Sequence, residues 1–407
     1  MPAQDNAVPP VALHGLKVVE CATVIAGPLC GRLLSDFGAE VIHVEPPGKG
    51  DPLRQFGFHV DGVNPWWKYY SRNKKLVTLD IGKPQGREVL LKLLADADIF
   101  VENFRPGRLE AWGIHYEDLE KINPRLVMIR LTGYGQTGPY AKQPGFGTIM
   151  EAQSGFAHMT GETDGPPTLP QFALADSFAG MYAVAAAMFA IYNRDIVGTG
   201  KGQVIDVSIL ESLYSMLGPN STVYQLTGEA PGRMGNRTPT SAPRNTYRTS
   251  DGRWLAIAGA TPTTAARLLM LVGGQALVDD PRFNTNSGRL KNVVKLDALI
   301  GGWIGRHTLA EVTGILRAAD VPFGPVNTIA DIMADPHAQA REMVIEQLDD
   351  NGRTLKMEGV FPKMSATPGR VQHPGRSQLG ADNVEIFVRR LGMNSADVET
   401  LKAAGII

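Results

Sequence analysis

Residues 16–44 read LKVVECATVIAGPLCGRLLSDFGAEVIHV, and the pattern of this stretch decides the fold. Apolar residues over Leu16–Glu20 predict a short strand, and apolar residues at helical spacing over Pro28–Phe37 predict a helix. Gly38 is a typical C-terminal cap for that helix, and Glu40–Val44 predicts the next strand. A strand, a helix and a strand in this order predict a βαβ unit with two parallel strands.

The same alternation continues along the first half of the chain. Apolar runs predict two more buried strands, and apolar residues at helical spacing predict two more helices. The predicted helices are Lys83–Ala95 and Leu109–Glu120, and the predicted strands are Ile99–Val101 and Val127–Leu131. Because alternating strands and helices form a parallel sheet covered on both faces, we expect an α/β fold with a large Rossmann-like domain.

A change in texture predicts a second domain. Residues 227–243 are rich in Gly, Pro, Thr, Arg and Asn and have little periodicity, which is typical of a connection. Asn245–Ala258 follows as a predicted hairpin. A chain of 407 residues exceeds what one simple core organises, so we expect a large domain of residues 1–227 and 331–407. A smaller α+β domain, residues 228–330, is expected as an insertion.

The composition excludes several classes of partner. The chain has 40 Lys and Arg against 41 Asp and Glu, a net charge of −1, so we expect no nucleic-acid partner and no membrane partner. Residues 1–10 show no targeting signal, and Gly180–Tyr192, the most apolar stretch, is too short to span a bilayer. Only Cys21 and Cys30 are present, and both are expected to be small buried residues. We expect a cytoplasmic protein in which residues 180–192 form a buried helix.

The sequence does not support a dinucleotide site, a metal site or a serine-hydrolase site. Residues 133–138 read GYGQTG, which matches the glycine spacing of dinucleotide sites. Such a site needs a helix that opens at the last glycine and an acidic residue about 20 positions later, but Pro139 and Pro144 follow instead. The eight histidines show no metal-ligand spacing, and no serine lies in a Gly-x-Ser-x-Gly turn. We therefore expect neither a dinucleotide nor a metal site.

Asp176 lies between a short apolar segment and a run of small residues. Residues 174–180 read LADSFAG, which places Asp176 at the start of a predicted helix. From spacing alone, the favoured interpretation of Asp176 is a helix N-cap. The position also suits chemistry, because backbone N–H groups at a helix start stabilise an oxyanion.

Several short runs carry a family resemblance. They are residues 24–28 (VIAGP), 36–42 (DFGAEVI), 72–75 (RNKK), 102–107 (ENFRPG), 133–140 (GYGQTGPY), Asp176 with its neighbours, and 200–203 (GKGQ). In this order, and over nearly the whole chain, they resemble the family III CoA transferases. This CaiB/BaiF family includes formyl-CoA and carnitine-CoA transferases.

The resemblance implies a nucleophile, a reaction and a subunit arrangement. In the family, the carboxylate that matches Asp176 attacks an acyl-CoA thioester and forms an aspartyl-acyl anhydride. CoA then returns to form an enzyme-CoA thioester, from which the acceptor acid takes it. The resemblance implies no permanently bound cofactor, since the CoA thioester enters as substrate. It also implies an interlocked homodimer.

The resemblance carries over part of a CoA site. It implies CoA contacts for Val24, Ile25, Ala26, Lys75, Asn103 and Phe104. Formyl-CoA transferase has arginines where this chain has Pro46 and Ala111. On chemical grounds Arg72, Arg105 and Arg108 are substitutes, because guanidinium groups bind phosphates well. Solvated surface arginines are an equally supported interpretation of these three.

A second set of residues is expected on the substrate side. The segment 234–237 (MGNR) lies just before the predicted hairpin and is the expected closing loop, with Gly235, Asn236 and Arg237 as its site residues. The arginines at 233, 237, 244 and 248 form a cluster that suits a second substrate carboxylate. Arg237 and Arg244 are the expected members of the site, together with Phe146.

Short runs of sequence also indicate the substrate class and leave two alternative functions open. Residues 51–57, 104–113 and 133–140 look most like members that act on C4 and C5 dicarboxylates, such as succinyl-CoA and mesaconyl-CoA transferases. Transfer within one mesaconyl group, from C1 to C4, is also open. The α-methylacyl-CoA racemases look similar but carry a histidine where this chain has Phe146, so one proton-transfer group is missing. A catalytically silent CoA-binding protein is the other alternative, and Asp176 argues against it.

Overall fold

The structure is a computed structural model that describes residues 11–259 and 261–407. Within these residues, the first of two compact units is built on a six-stranded sheet. Its strands are β1 (Lys17–Glu20), β2 (Glu40–Glu45), β3 (Lys75–Thr78), β4 (Ile99–Glu102), β5 (Val127–Thr132) and β6 (Val204–Ser208). All neighbours are parallel, in the order β3-β2-β1-β4-β5-β6. The α/β fold predicted from residues 16–44 is confirmed.

Both faces of this sheet are buried. Val18 pairs with Val41 of β2 and Ile99 of β4, and these side chains belong to the apolar cluster on one face. Val19 and Phe100, one residue further along their strands, belong to the cluster on the other face. Successive strand residues point to opposite faces, so burial on both sides requires continuous apolar runs. That requirement explains the sequence pattern of β1, β4 and β5.

Helices connect the strands. They are α1 (Ala26–Asp36), α2 (Pro65–Tyr70), α3 (Pro84–Leu94), α4 (Arg108–Ala111), α5 (Tyr116–Ile122), α6 (Gly147–Gln153), α7 (Phe156–Met159), α8 (Leu174–Asp195) and α9 (Ile209–Ser215), with a 3-10 turn at Pro52–Gln55. The prediction of one helix over residues 109–120 is wrong. Gly113 has φ +73°, a left-handed conformation that ends α4 before α5 begins.

The long helix α8 is only partly buried. Its small residues Ala175, Ala179, Ala183, Ala187 and Ala190 are buried at helical spacing. Gly180 allows close packing on α1, since a Cβ there would lie 2.9 Å from the Ala26 carbonyl oxygen. Phe189 is 72% exposed and Tyr192 is 59% exposed, so the expectation of a buried helix holds for one face only. By length and composition alone α8 could cross a membrane; 33% of its most apolar window is buried.

Residues 157–168 and 220–338 form the second compact unit. An antiparallel sheet of β7 (Arg244–Arg248), β8 (Trp254–Ala258) and β9 (Phe323–Pro325) confirms the predicted hairpin. The helices are α10 (Asn220–Thr227), α11 (Pro262–Val278), α12 (Asn286–Lys291), α13 (Val293–Ile304), α14 (Leu309–Ala318) and α15 (Ile329–Ala334), with α16 (Pro336–Ala340) at the edge. The smaller domain was expected over residues 228–330, and this unit also contains residues 157–168, 220–227 and 331–338.

The chain from residue 339 onward belongs to the first unit. It forms a hairpin of β10 (Val344–Leu348) and β11 (Thr354–Glu358), a π-helical segment at Val384–Arg390, and α17 (Ser395–Ala403). Ile406 and Ile407 are buried in the same apolar cluster as Val19. The Ile406 carbonyl also accepts the Asp80 N–H at 2.7 Å, so the end of the chain is part of the large core.

Candidate functional site

The candidate site lies where the strand order reverses. β1 and β4 are neighbours at this point, and the carboxyl ends of strands at such a switch point form a ligand-binding crevice. Residues 23–26 follow β1, residues 103–106 follow β4, and residues 131–133 end β5. These segments line a cavity of about 290 Å³, together with residues 145 and 146 and Asp176. The crevice is therefore built by the loops that the βαβ pattern places side by side.

Asp176 lies on the wall of this cavity. It is the third residue of α8, whose N-cap is Ala173, so the N-cap interpretation of Asp176 is wrong. Among the residues that the structure describes, no lysine or arginine pairs with its carboxylate. Burial, and then the charge of Glu151, raise the pKa of Asp176 to about 6. A carboxylate with poor solvation and no counter-ion retains the basicity that a nucleophile needs.

Two residues of α6 shape the surroundings of Asp176. Gly147 packs directly against the Asp176 carboxylate. Glu151, one turn later, is buried, and its Oε1 accepts the N–H of Ala175 at 3.2 Å. This hydrogen bond fixes the first turn of α8, which presents Asp176 to the cavity. Gly147 was not predicted as a site residue; the only signal in the sequence is that a glycine follows Phe146.

Asp176 also lines a second cavity, of about 360 Å³. The two cavities share Val24, Ile25, Phe146 and Asp176. The rest of the second cavity is lined by Phe56, Trp66, Gly147, Thr148 and residues 170–173. Asp176 therefore stands where a cavity lined by the β1 and β4 loops meets a cavity with several aromatic walls.

Most of the expected residues of the large domain come together here. Val24, Ile25, Ala26, Asn103, Phe104, Arg105, Phe146 and Asp176 all line the 290 Å³ cavity. Asn103 ties the two loops together, since its Oδ1 accepts the Thr23 N–H at 2.9 Å and its Nδ2 donates to the Thr23 carbonyl at 2.8 Å. Of the three arginines expected to contact CoA phosphates, Arg105 is the one that lines this cavity.

Three other expected CoA contacts do not line it. Arg72 is fully buried; its Nε and Nη2 bind the two carboxylate oxygens of Asp36 at 2.9 and 2.7 Å. Lys75 is held between Glu40 and Glu385, at 2.7 Å from each. Arg108 is exposed and stacks on a tryptophan ring at 4.7 Å. Arg72 is thus held in a buried ion pair, and its Nη1 also donates to the Glu358 carbonyl at 2.6 Å.

The expected loop residues belong to the second unit. Gly235 has φ +61°, and its N–H donates to the Gly161 carbonyl at 2.9 Å. Arg237 pairs with Asp297 at 2.8 Å. Arg244 donates to the backbone carbonyls of Asn236 and Arg237, and lines a cavity of about 330 Å³ with Asn236. Their association with Asp176 stays a prediction.

The cysteines and the metal-ligating residue types were also located. Cys21 and Cys30 are buried, and burial strongly raises the pKa of both thiols, so neither is a nucleophile. Over residues 11–259 and 261–407, no group of three or more His, Cys, Asp and Glu side chains is arranged to hold a metal ion.

Comparison with known proteins gives a consistent result. The sequence profile of CoA-transferase family III matches residues 13–383. A succinyl-CoA–D-citramalate CoA-transferase of Chloroflexus aurantiacus is 41% identical over 98% of this chain and 99% of its own. The beta subunit of a succinyl-CoA–L-malate CoA-transferase from the same organism is 38% identical over 99% of this chain and 100% of its own. The crystal structure of a CaiB/BaiF family protein from Brucella suis superposes with a TM-score of 0.82 at 35% identity, covering 93% of this chain and 99% of that one.

Proposed function

The chain belongs to CoA-transferase family III, and we propose that its Asp176 carries CoA between dicarboxylic acids. The observation that carries the proposal is the place of Asp176, at the junction of two cavities and without a counter-ion. The cavity lined by Val24–Ala26 and residues 103–106 suits the pantetheine arm of CoA. The aromatic cavity on the other side suits the acyl group.

The proposed reaction consists of four attacks. The Asp176 carboxylate attacks the donor thioester carbonyl, the C–S bond breaks, and an aspartyl-acyl anhydride and CoA thiolate result. The thiolate attacks the aspartyl carbonyl of the anhydride, which releases the donor carboxylate and leaves an enzyme-CoA thioester. The acceptor carboxylate attacks this thioester and regenerates an anhydride and thiolate. The thiolate then attacks the acceptor acyl carbonyl, giving the new CoA ester and free Asp176.

The electrostatics of Asp176 support this role. With a pKa of about 6, the carboxylate is mostly ionised at pH 7 yet more basic than an ordinary aspartate. The CoA thioester enters as substrate, and the four steps transfer only acyl and CoA groups, so we propose that no permanently bound cofactor takes part. Within the described residues neither cavity is lined by a histidine, which disfavours the racemase alternative.

The proposed substrates are C4 and C5 dicarboxylates. Relatives named for D-citramalate and L-malate support this class, and mesaconyl-CoA remains within it. A second carboxylate in a closed site needs a cationic partner. Arg237 is already paired with Asp297, whereas Arg244 donates only to backbone carbonyls among its described contacts. Arg244 is therefore the better candidate for that partner.

We also propose a cytoplasmic homodimer. Phe189, Tyr192 and Ile196 of the α8 region and Met216 after α9 expose large apolar side chains on the first unit. Monomeric soluble proteins rarely leave such a group uncovered, and a second copy of the chain would cover it. The interlocked form implied by the family resemblance is the proposed arrangement. Light scattering of the purified protein at low micromolar concentration tests it, and a stable monomer would exclude it.

The activity is tested by following CoA esters by mass. Succinyl-CoA is incubated with L-malate, citramalate, glutarate or mesaconate, with a monocarboxylate of similar size as control. We expect new CoA esters with the diacids, and turnover that is at least about tenfold lower with the monoacid. Mesaconyl-CoA alone tests transfer from C1 to C4, with the two isomeric esters, which have the same mass, separated by liquid chromatography. Exchange that persists in Asp176→Asn, or equal rates with the monoacid, would contradict the nucleophile or the substrate class respectively.

A further inference from the structure

A strained residue lies in the wall of the proposed CoA cavity. Val24 has φ +68°, in the left-handed region that β-branched residues almost never occupy. It lines both cavities beside Asp176, between β1 and α1. Such strain persists only where the surrounding structure fixes it, and it concentrates at functional sites. A neighbouring group must therefore hold Val24 in this conformation.

Asp51 holds Val24 through its backbone. The Val24 N–H donates to Asp51 Oδ1 at 3.1 Å and to Oδ2 at 3.3 Å. Oδ1 also accepts the N–H of Leu53 at 2.7 Å, and thereby caps the 3-10 turn at Pro52–Gln55. Asp51 is 1% exposed, so its carboxylate works in a low-dielectric environment where each of these bonds is strong. The capping bond is local, whereas the bond to Val24 joins segments 27 residues apart.

Asp51 is in turn fixed by a buried charge network. His43 lies between two carboxylates, with its Nδ1 at 2.6 Å from Glu20 and its Nε2 at 3.4 Å from Asp51. The second distance is long for a hydrogen bond, so this contact is a charge pair. Glu45 accepts the Asp51 N–H at 2.9 Å, and Lys74 binds Glu20 at 2.7 Å. A charged imidazole at this place satisfies both carboxylates, whereas a neutral ring would leave one lone pair facing an oxygen anion.

We propose that Asp51 is a positioning residue of the CoA site: it holds Val24 in its left-handed conformation and thereby sets the wall against which CoA binds beside Asp176. His43 acts through Asp51 and does not touch substrate. The proposal rests on the proposed function, since it assumes that the Val24–Ala26 wall receives CoA. The proposal gives the buried charged network of His43, Asp51 and Glu20 a role in ligand binding as well as in stability.

The test compares four single variants and one double variant, Val24→Gly with Asp51→Ala, by two readouts. Asp51→Ala removes both bonds, while Asp51→Asn keeps an acceptor oxygen for Val24 and Leu53. Asp349→Ala is the matched control, because Asp349 is also buried and also accepts two backbone N–H groups, from Asn351 and Arg353. Val24→Gly removes the strain, since glycine adopts positive φ without cost. The dissociation constant of free CoA is measured by titration calorimetry, and stability by urea unfolding.

The expected result separates positioning from stability. Asp51→Ala weakens CoA binding by about tenfold or more, Asp51→Asn by about threefold or less, and Asp349→Ala loses stability with CoA affinity unchanged. In the Val24→Gly background, Asp51→Ala has a smaller effect on CoA affinity than in the wild type, because the two residues are coupled. KM for the acyl-CoA follows the dissociation constant.

Three outcomes would overturn the proposal. They are CoA affinity unchanged in Asp51→Ala, an equal loss of affinity in Asp349→Ala, or additive effects of Asp51→Ala and Val24→Gly. If Asp51→Ala does not fold, Asp51→Asn and Val24→Gly still give the comparison. A wild-type protein that binds CoA but exchanges no ester contradicts the proposed function alone. A wild-type protein that does not bind CoA contradicts the positioning role as well.

Discussion

Gly147 and Asp176 are in such close contact that a Cβ on residue 147 would lie 2.4 Å from Asp176 Oδ2. Real Cβ atoms do not approach an oxygen this closely, so the carboxylate keeps its position only because residue 147 has no side chain. Gly147 is also the first residue of α6, whose Glu151 fixes the start of α8. The contact therefore couples the geometry of two helices to one reactive oxygen.

Gly147→Ala is expected to displace the Asp176 carboxylate and to lower kcat/KM by about 100-fold, because misplacement of a reacting group by 1 Å costs that much. The fold should survive, since the clash is with the end of a side chain. Steady-state kinetics and urea unfolding measure the two effects. Gly314→Ala is the control: Gly314 lies inside α14 with open space around it, and alanine there should add roughly 0.5–1 kcal/mol of stability. Unchanged activity in Gly147→Ala would contradict the packing argument.

The pH dependence of the reaction should report the ionisation of Asp176. The proposed nucleophile is the ionised carboxylate of Asp176, whose pKa is raised to about 6 by burial and by the charge of Glu151. We expect kcat/KM to rise tenfold per pH unit below that value and to level off above it. The measurement is kcat/KM for one donor and acceptor pair from pH 4.5 to 8. A profile that is flat from pH 5 upward would show that another group, or an Asp176 of ordinary pKa, is responsible.

Asp176→Asn should lose activity and gain stability at neutral pH. Loss of the covalent route is expected to lower turnover by on the order of 10⁴-fold or more. The folded-state pKa of about 6 exceeds the ordinary value of 3.8, so the native state binds the proton more tightly than the unfolded state. The cost of the buried charge is therefore absent below about pH 4 and fully present above about pH 6.

The stability of Asp176→Asn is compared with the wild type by urea unfolding at pH 4 and pH 7. At pH 7 the variant should be more stable by roughly 3 kcal/mol, and at pH 4 the difference should nearly vanish. Asp206→Asn serves as control, since Asp206 is an exposed aspartate in the middle of β6, where loss of the charge costs no burial. A variant less stable than the wild type at pH 7 would contradict a counter-ion-free Asp176.

The network around His43 should make the protein sensitive to alkali. Burial alone would lower the pKa of His43, but the facing carboxylates of Asp51 and Glu20, with Glu45 behind them, outweigh it and raise the pKa to about 9. The stabilisation is then fully present below pH 6.5 and is lost as the pH rises through 9. Lys74 also faces this network, through Glu20.

His43→Gln separates the contribution of His43 to the pH dependence of stability from that of Lys74. We expect the variant to be less stable than the wild type at pH 7, and the difference to shrink between pH 8 and pH 10, because only the wild type loses a proton from residue 43. Urea unfolding at four pH values measures the difference. An equal difference at pH 7 and pH 10 would mean that His43 is neutral in the native state.

Much of the first unit could be predicted because its signals are local. The apolar runs of β1, β4 and β5 and the helical spacing before Gly38 need no distant partner to be read. The helix predicted over residues 109–120 failed at Gly113, where one left-handed residue outweighed good helical spacing. The β10–β11 hairpin was not predicted, since its strands are half exposed and alternate polar with apolar residues only weakly.

For the candidate site too, some features could be predicted from the sequence and others could not. The order of the short runs was enough to place Asp176, Val24–Ala26 and residues 103–106 in one family of enzymes, and the cavity brings these together. Arg72 was expected to bind phosphate because of its charge and its place in the sequence, and Lys75 was expected to contact CoA because of the family resemblance. Whether a charge is free depends on which carboxylate the fold places beside it, and Asp36 and Glu40 come from other segments.

The sequence by itself determined the parallel sheet and, through the short runs that resemble the CoA transferases, the family, because both signals are carried by contiguous residues. Only the tertiary structure decided what each charge does. It buried Arg72 and His43 in ion networks, placed no lysine or arginine of the described residues beside the Asp176 carboxylate, and packed Gly147 against that carboxylate. The physical reason is that burial and electrostatic pairing depend on distances between segments far apart in the chain, which no local pattern encodes.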